Sequence, residues 1–88
     1  MTVKTKHGEF ECRELTFKDR RKLHRLEVTT LDADGSINLD KYYDVLEFIM
    51  RFAFADPEAA LGHLGDTEID TVLSEIYTRY KTPPKKKH

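Results

Sequence analysis

The sequence predicts an α+β domain, with an N-terminal two-stranded β-hairpin followed by a bundle of three to four helices. Three observations predict it. Apolar and polar residues alternate over residues 2–6 and 9–14, on either side of His7-Gly8, with the period of strands rather than helices. From Ile69 onward, Val72, Leu73, Ile76, Tyr77 and Tyr80 recur at spacings of three and four, which gathers them on one helical face. Between these segments, Thr16, Asn38 and Asp56-Pro57 stand where helix caps are expected.

In the hairpin, a two-residue turn at His7-Gly8 sets Val3 opposite Cys12 and Thr5 opposite Phe10, leaving one apolar face to lie on helices. His7 is not the Asn or Asp that such a turn favours. The first helix is predicted from Phe17 to about Val28. Thr16 caps the amide of Asp19, and Asp19 reaches back to the amide of Thr16, a capping box with Asp in place of Glu or Gln. Its narrow apolar stripe is Phe17, Leu23 and Leu26 with Val28 or Thr30, and its other faces are charged.

Residues 29–38 read as a turn-rich connection in which Gly35 supplies the permissive backbone position. Asn38 caps a second helix from Leu39 to about Phe54, in which eleven positions are apolar. That exceeds what one amphipathic stripe needs, so this helix is either central and buried or half buried and half offered to a partner. Pro57 opens a short third helix through Leu61 to Leu64, weakened by Gly62 and ended by Gly65. Thr67 with Asp70 repeats the capping-box spacing ahead of a fourth helix that ends near Lys81. The following Thr-Pro-Pro-Lys-Lys-Lys-His cannot continue a helix. The expected organisation is a single domain over residues 1–81 and a flexible basic tail over 82–88.

A chain of 88 residues has little room for a deep catalytic cleft. One cysteine, Cys12, precludes an internal disulfide and reads as a small buried hydrophobe. No apolar run approaches the ~18 residues of a membrane span, and no signal segment opens the chain; a cytosolic protein is expected. The net charge of −1 conceals a partition. Residues 1–30 carry eight Lys or Arg against five acids, residues 31–80 carry three against eleven, and residues 81–88 carry four Lys and no acid.

The segment Leu31-Asp32-Ala33-Asp34-Gly35-Ser36-Ile37 lies between helices as an EF-hand loop does. With Gly35 sixth, however, Thr30 occupies the first ligand position and Lys41 the twelfth, where calcium needs a bidentate carboxylate. A polar turn is the simpler reading. His7, His24, His63 and His88 lack ligand spacing for zinc. Ser36 and Ser74 lack a nucleophile context, and there is no glycine-rich phosphate loop. No enzyme chemistry, cofactor or metal is therefore expected.

Two surfaces remain. Lys18, Arg21, Lys22 and Arg25 share one side of the first helix, while Arg20 points elsewhere. They suit a solvated face, an acidic protein partner or, in a small regulator, the phosphates of nucleic acid together with Lys85 to Lys87. The acidic middle of the chain and the lack of interleaved aromatics weigh against nucleic acid. The second surface is on the second helix, where Tyr43, Phe48 and Phe54 fall off the best apolar stripe. They are the expected protein-binding residues, for a client helix or for self-association.

The features run in order from a Gly-turned hairpin through Arg13-Glu14-Leu15-Thr16-Phe17-Lys18-Asp19, a polar turn and Leu39-Asp40-Lys41-Tyr42-Tyr43-Asp44-Val45-Leu46-Glu47 to Leu64-Gly65-Asp66-Thr67-Glu68-Ile69-Asp70 before the last helix. In that order the chain resembles the tail assembly chaperones of long-tailed bacteriophages. It implies a non-enzymatic protein that binds the tape-measure protein and helps tail-tube subunits assemble around it, in the host cytoplasm. It also implies the short product of a frameshifted gene pair, and Lys85 to Lys87 are compatible with a slippery run of adenines. The family defines no fixed binding residues to carry over.

Overall fold

A computed structural model describes residues 1–81; the expected basic tail, with Lys85 to Lys87 and His88, lies outside the described residues. Two strands, β1 (Thr2–Thr5) and β2 (Gly8–Glu11), precede four helices, α1 (Phe17–Thr29), α2 (Leu39–Ala53), α3 (Pro57–Leu61) and α4 (Asp66–Lys81). The α+β architecture of hairpin then helices is the one the alternation and the helical spacings predict.

The strands pair antiparallel with Val3 opposite Phe10 and Thr5 opposite Gly8. This is two residues away from the expected register. The turn residues are Lys6 and His7, and Gly8 takes the positive φ of 122° that a hairpin closed by a glycine requires. Thr5 holds the turn, its hydroxyl donating to the Gly8 carbonyl (2.9 Å) and accepting from the His7 amide (3.1 Å). A slip of two leaves every side chain on its original face. Val3, Phe10 and Cys12 are accordingly all buried.

Beyond the hairpin, Thr16 caps α1 by accepting from the Asp19 amide (3.2 Å). The Asp19 carboxylate accepts from the Thr16 hydroxyl (2.7 Å), where the capping-box expectation had it take the Thr16 amide. Asn38 and Asp56 cap α2 and α3 by accepting from the amides of Lys41 and Ala59, and Pro57 opens α3. The start of α4 departs from expectation. Glu68 accepts from the Gly65 amide (3.0 Å), so the helix begins at Asp66 and Thr67 lies inside its first turn. Asp70 thereby becomes free to bond across to α2.

One contiguous core joins the hairpin to Leu23 of α1, to Val45, Leu46 and Ile49 of α2, to Leu61 of α3, and to Val72, Leu73, Ile76 and Tyr80 of α4. The Cys12 thiol is buried in it and donates to the Phe10 carbonyl (3.7 Å), and burial pushes its pKa up. Phe54 follows α2 with extended backbone (φ −120°, ψ 133°), which turns its ring off the helical path onto Phe10, edge to face at 6.0 Å.

The segment after β2 fastens the helices at their C-terminal ends. The Arg13 amide donates to the Ala53 carbonyl (3.1 Å) and its Nε to the Phe52 carbonyl (3.0 Å), with the guanidinium 5.1 Å above the Phe52 ring. Arg20 Nη1 donates to the Tyr80 carbonyl (3.2 Å), and the Tyr80 hydroxyl donates to the Arg13 carbonyl. Carbonyls in the last turn of a helix lack intrahelical donors, and a cation there also matches the helix dipole. Arg13 and Arg20 are thus structural side chains.

Candidate functional site, a groove between the second and fourth helices

The chemistry of the site starts from two adjacent tyrosines early in α2. Successive helical residues point about 100° apart, so Tyr42 and Tyr43 reach α4 at different places. The Tyr42 hydroxyl pairs with the Ser74 hydroxyl (3.1 Å), and its ring meets Tyr77 edge to face at 6.4 Å. The Tyr43 hydroxyl donates to Asp70 Oδ2 (3.3 Å). The neighbouring Asp70 charge, and then the hydrogen bond to it, push the Tyr43 pKa up.

These two bridges span an open groove between the helices, lined along α2 by Leu39, Tyr42, Tyr43 and Leu46 and along α4 by Asp70 and Ser74. Leu46 is buried in its floor, whereas Leu39 is 68% exposed and Tyr43 51% exposed. One end is closed by the hairpin turn, where the Lys6 amide donates to Glu75 Oε1 (3.3 Å). The groove has an apolar base and carboxylates on its rim, the composition of a surface that receives an amphipathic helix.

The three residues expected to form one protein-binding surface do not share a surface. Tyr43 lies on the groove. Phe48 is half-buried in a separate depression between α1 and α2, its ring stacked on Phe52 at 6.1 Å, with Arg13, Asp19 and Glu47 around it. Phe54 is buried, 6% exposed, and is corrected from a surface residue to a core residue. Helical spacing cannot place a residue beyond the helix end, and Phe54 is the C-cap. Leu39 is the groove residue the sequence reading passed over. Its signal was present, since it stands one turn before Tyr43 on the same side.

On α1, Leu23 is buried and Leu26 half-buried as expected, but Phe17 is 81% exposed and Val28 57% exposed. Both leave the expected inward stripe. They are eleven residues apart, three helical turns, on a side roughly 120° from Leu23. That side is also the side of Lys18, Arg21, Lys22 and Arg25, all exposed.

The turn between α1 and α2 folds on itself. Leu31 bridges Ile37, and Asp34 Oδ1 accepts from the Ser36 hydroxyl (2.6 Å) and amide (3.0 Å), which hold its carboxyl below the usual carboxylate range. Among the described residues, no group of three or more His, Cys, Asp or Glu side chains is placed to hold a metal ion. Nor is any helix among them long and apolar enough to cross a membrane. No protein-family model matches the chain, and no curated protein or solved structure matches it either.

Proposed function

We propose that this chain is a small assembly chaperone of the long-tailed phage kind, non-enzymatic and without a cofactor, acting in the host cytoplasm. It lays a helical segment of the tape-measure protein into the groove between α2 and α4 and presents it to tail-tube subunits. The observation that carries this reading is the exposure of Leu39 and Tyr43 above a floor formed by Tyr42 and Leu46. Large apolar side chains aligned at a groove mark a protein contact. The rim carboxylates Asp70 and Glu75 favour a client whose apolar stripe is flanked by Lys or Arg.

Co-expression of the chain with the tape-measure protein encoded in the same genome tests it. Leu39→Ser with Tyr43→Ser is expected to abolish co-purification while the thermal unfolding profile is retained. Retained co-purification removes the groove from the reading, and failure of the unaltered chain to bind removes the chaperone function. Light scattering on the free protein separates client binding from self-association through the same groove.

A second reading, a regulator that binds nucleic acid through α1 and the lysine tail, is supported by the exposed Lys18, Arg21, Lys22 and Arg25. Affinity falling steeply with salt, and lost in Arg21→Glu with Arg25→Glu, is its expected signature.

A further inference from the structure

We infer that the outer face of α1 is a second docking surface, for an acidic amphipathic helix of a partner protein. Lys18, Arg21, Lys22 and Arg25 lie on this face, and none of their side chains makes an ion pair or hydrogen bond among the described residues. The other cations of this region are committed, Arg13 to Phe52 and Arg20 to Tyr80. The acids of α1 are withdrawn from the face as well. Asp19 bonds to Thr16, and Glu27 accepts from the Tyr77 hydroxyl and pairs with Lys81 (3.1 Å). What remains is a cationic strip of Lys18, Arg21 and Arg25, with Lys22 at its edge toward Asp44 and Glu47 of α2, bounded by exposed Phe17 at one end and exposed Val28 at the other.

The cations recur at i, i+3, i+4 and i+7. A facing helix with carboxylates at the same spacings meets them turn for turn. Phe17 and Val28, roughly 16 Å apart along the axis at ~1.5 Å per residue, would seat apolar residues at its two ends. An extended polyanion matches the chain less well. It would run past α1 toward residues 31–80, which carry eleven acids against three cations, and charge repulsion reaches about 8–10 Å at ordinary salt. A short acidic helix touches α1 alone.

The probe is a fluorescent stapled helical peptide of about 13 residues, roughly 20 Å long and so no longer than α1, with Glu at i, i+3, i+4 and i+7 and Leu at the two flanks. Its twin carries Gln for Glu. Anisotropy at low salt is expected to show the acidic peptide binding at least about tenfold more tightly than its twin, or ~1.4 kcal/mol. Arg21→Gln with Arg25→Gln is expected to remove that advantage, and Phe17→Ser to weaken binding several-fold, both with unaltered thermal melts. Leu39→Ser with Tyr43→Ser is expected to leave peptide binding intact, which separates this surface from the groove. Equal binding of both peptides, no binding of the acidic one, or insensitivity to the α1 variants overturns the inference. Duplex DNA or phosphatidylserine vesicles bound in preference to the peptide overturn it in favour of a polyanion. Self-association abolished by the same α1 variants overturns it in favour of a second copy of the chain.

Discussion

Phe54→Ala and Tyr43→Ser separate core from surface among the aromatic residues of α2 and its C-cap, and the two substitutions are expected to differ sharply. Phe54 is 6% exposed and meets Phe10 edge to face at 6.0 Å, with an interplanar angle of 74°. Truncating a buried phenyl ring costs about 3–5 kcal/mol, through lost transfer energy and the cavity left behind. Roughly 0.5–1.5 kcal/mol of that belongs to the ring pair itself. At ~0.05–0.15 kcal/mol per residue, an 88-residue domain is stable by about 4–13 kcal/mol. Phe54→Ala therefore removes a large part of the total. With a urea dependence of about 1–2 kcal/mol per molar, the unfolding midpoint falls by at least about 1.5 M.

Tyr43 is half exposed, and its hydroxyl bond to Asp70 is open to water, which replaces a lost partner at little cost. Tyr43→Ser is expected to leave the midpoint close to that of the parent protein. Urea titrations followed by far-ultraviolet circular dichroism, with equal slopes in all variants, measure both. The reasoning is refuted if the two variants shift the midpoint equally, because Tyr43 would then be core and the groove would lose its free aromatic.

Adjacent arginines on α1 provide a second contrast. Arg20→Ala is expected to lower stability by about 1–2 kcal/mol, because the Tyr80 carbonyl loses a charged donor, whereas Arg21→Ala leaves the midpoint in place; amide exchange at the end of α4 reads the difference. A third prediction concerns alkaline pH. Burial, and at Tyr77 also the bond to Glu27, raise the folded-state pKa of Tyr77 and Tyr80 above the unfolded value of about 10. The folded chain then holds more protons than the unfolded one, so stability is fully present below pH ~10 and is lost as pH rises beyond it. Tyrosinate absorbance is expected to show these two tyrosines titrating only as circular dichroism reports unfolding, with Tyr77→Phe plus Tyr80→Phe separating the two signals; a single common titration near pH ~10 in the folded protein counts against it.

Much of this fold was legible because its signals are local. Thr16, Asn38 and Asp56 each satisfy an amide three residues ahead, and side chains that act over one turn can be read without knowing what lies opposite. The start of α4 was misread for a related reason. Two capping patterns overlap there, and Glu68 reaching back to Gly65 prevails over Thr67 with Asp70, since Asp70 is drawn across to Tyr43. The hairpin register slipped by two because alternation fixes only which face a residue occupies. The site was less legible than the fold. Tyr43 is exposed as expected, but Phe54 was misplaced because it lies past the last helical residue, and Phe17 and Val28 because apolar character alone was taken to mean an inward face.

From the sequence alone came the element order, the N-caps of α1, α2 and α3, the inward face of α4, and the sorting of charge into a basic start and an acidic middle. These follow from period and composition, which are properties of neighbours along the chain. Only the tertiary structure decided which charges are free and which apolar residues are exposed. Arg13 and Arg20 are spent on helix ends while Lys18, Arg21, Lys22 and Arg25 are not; the helical angle set Arg20 apart, but no local pattern names the carbonyls that Arg13 and Arg20 reach. The physical reason is that a charge is satisfied, and an apolar surface covered, by groups distant in sequence. Arg20 meets Tyr80 sixty residues away, and Tyr43 meets Asp70 across twenty-seven.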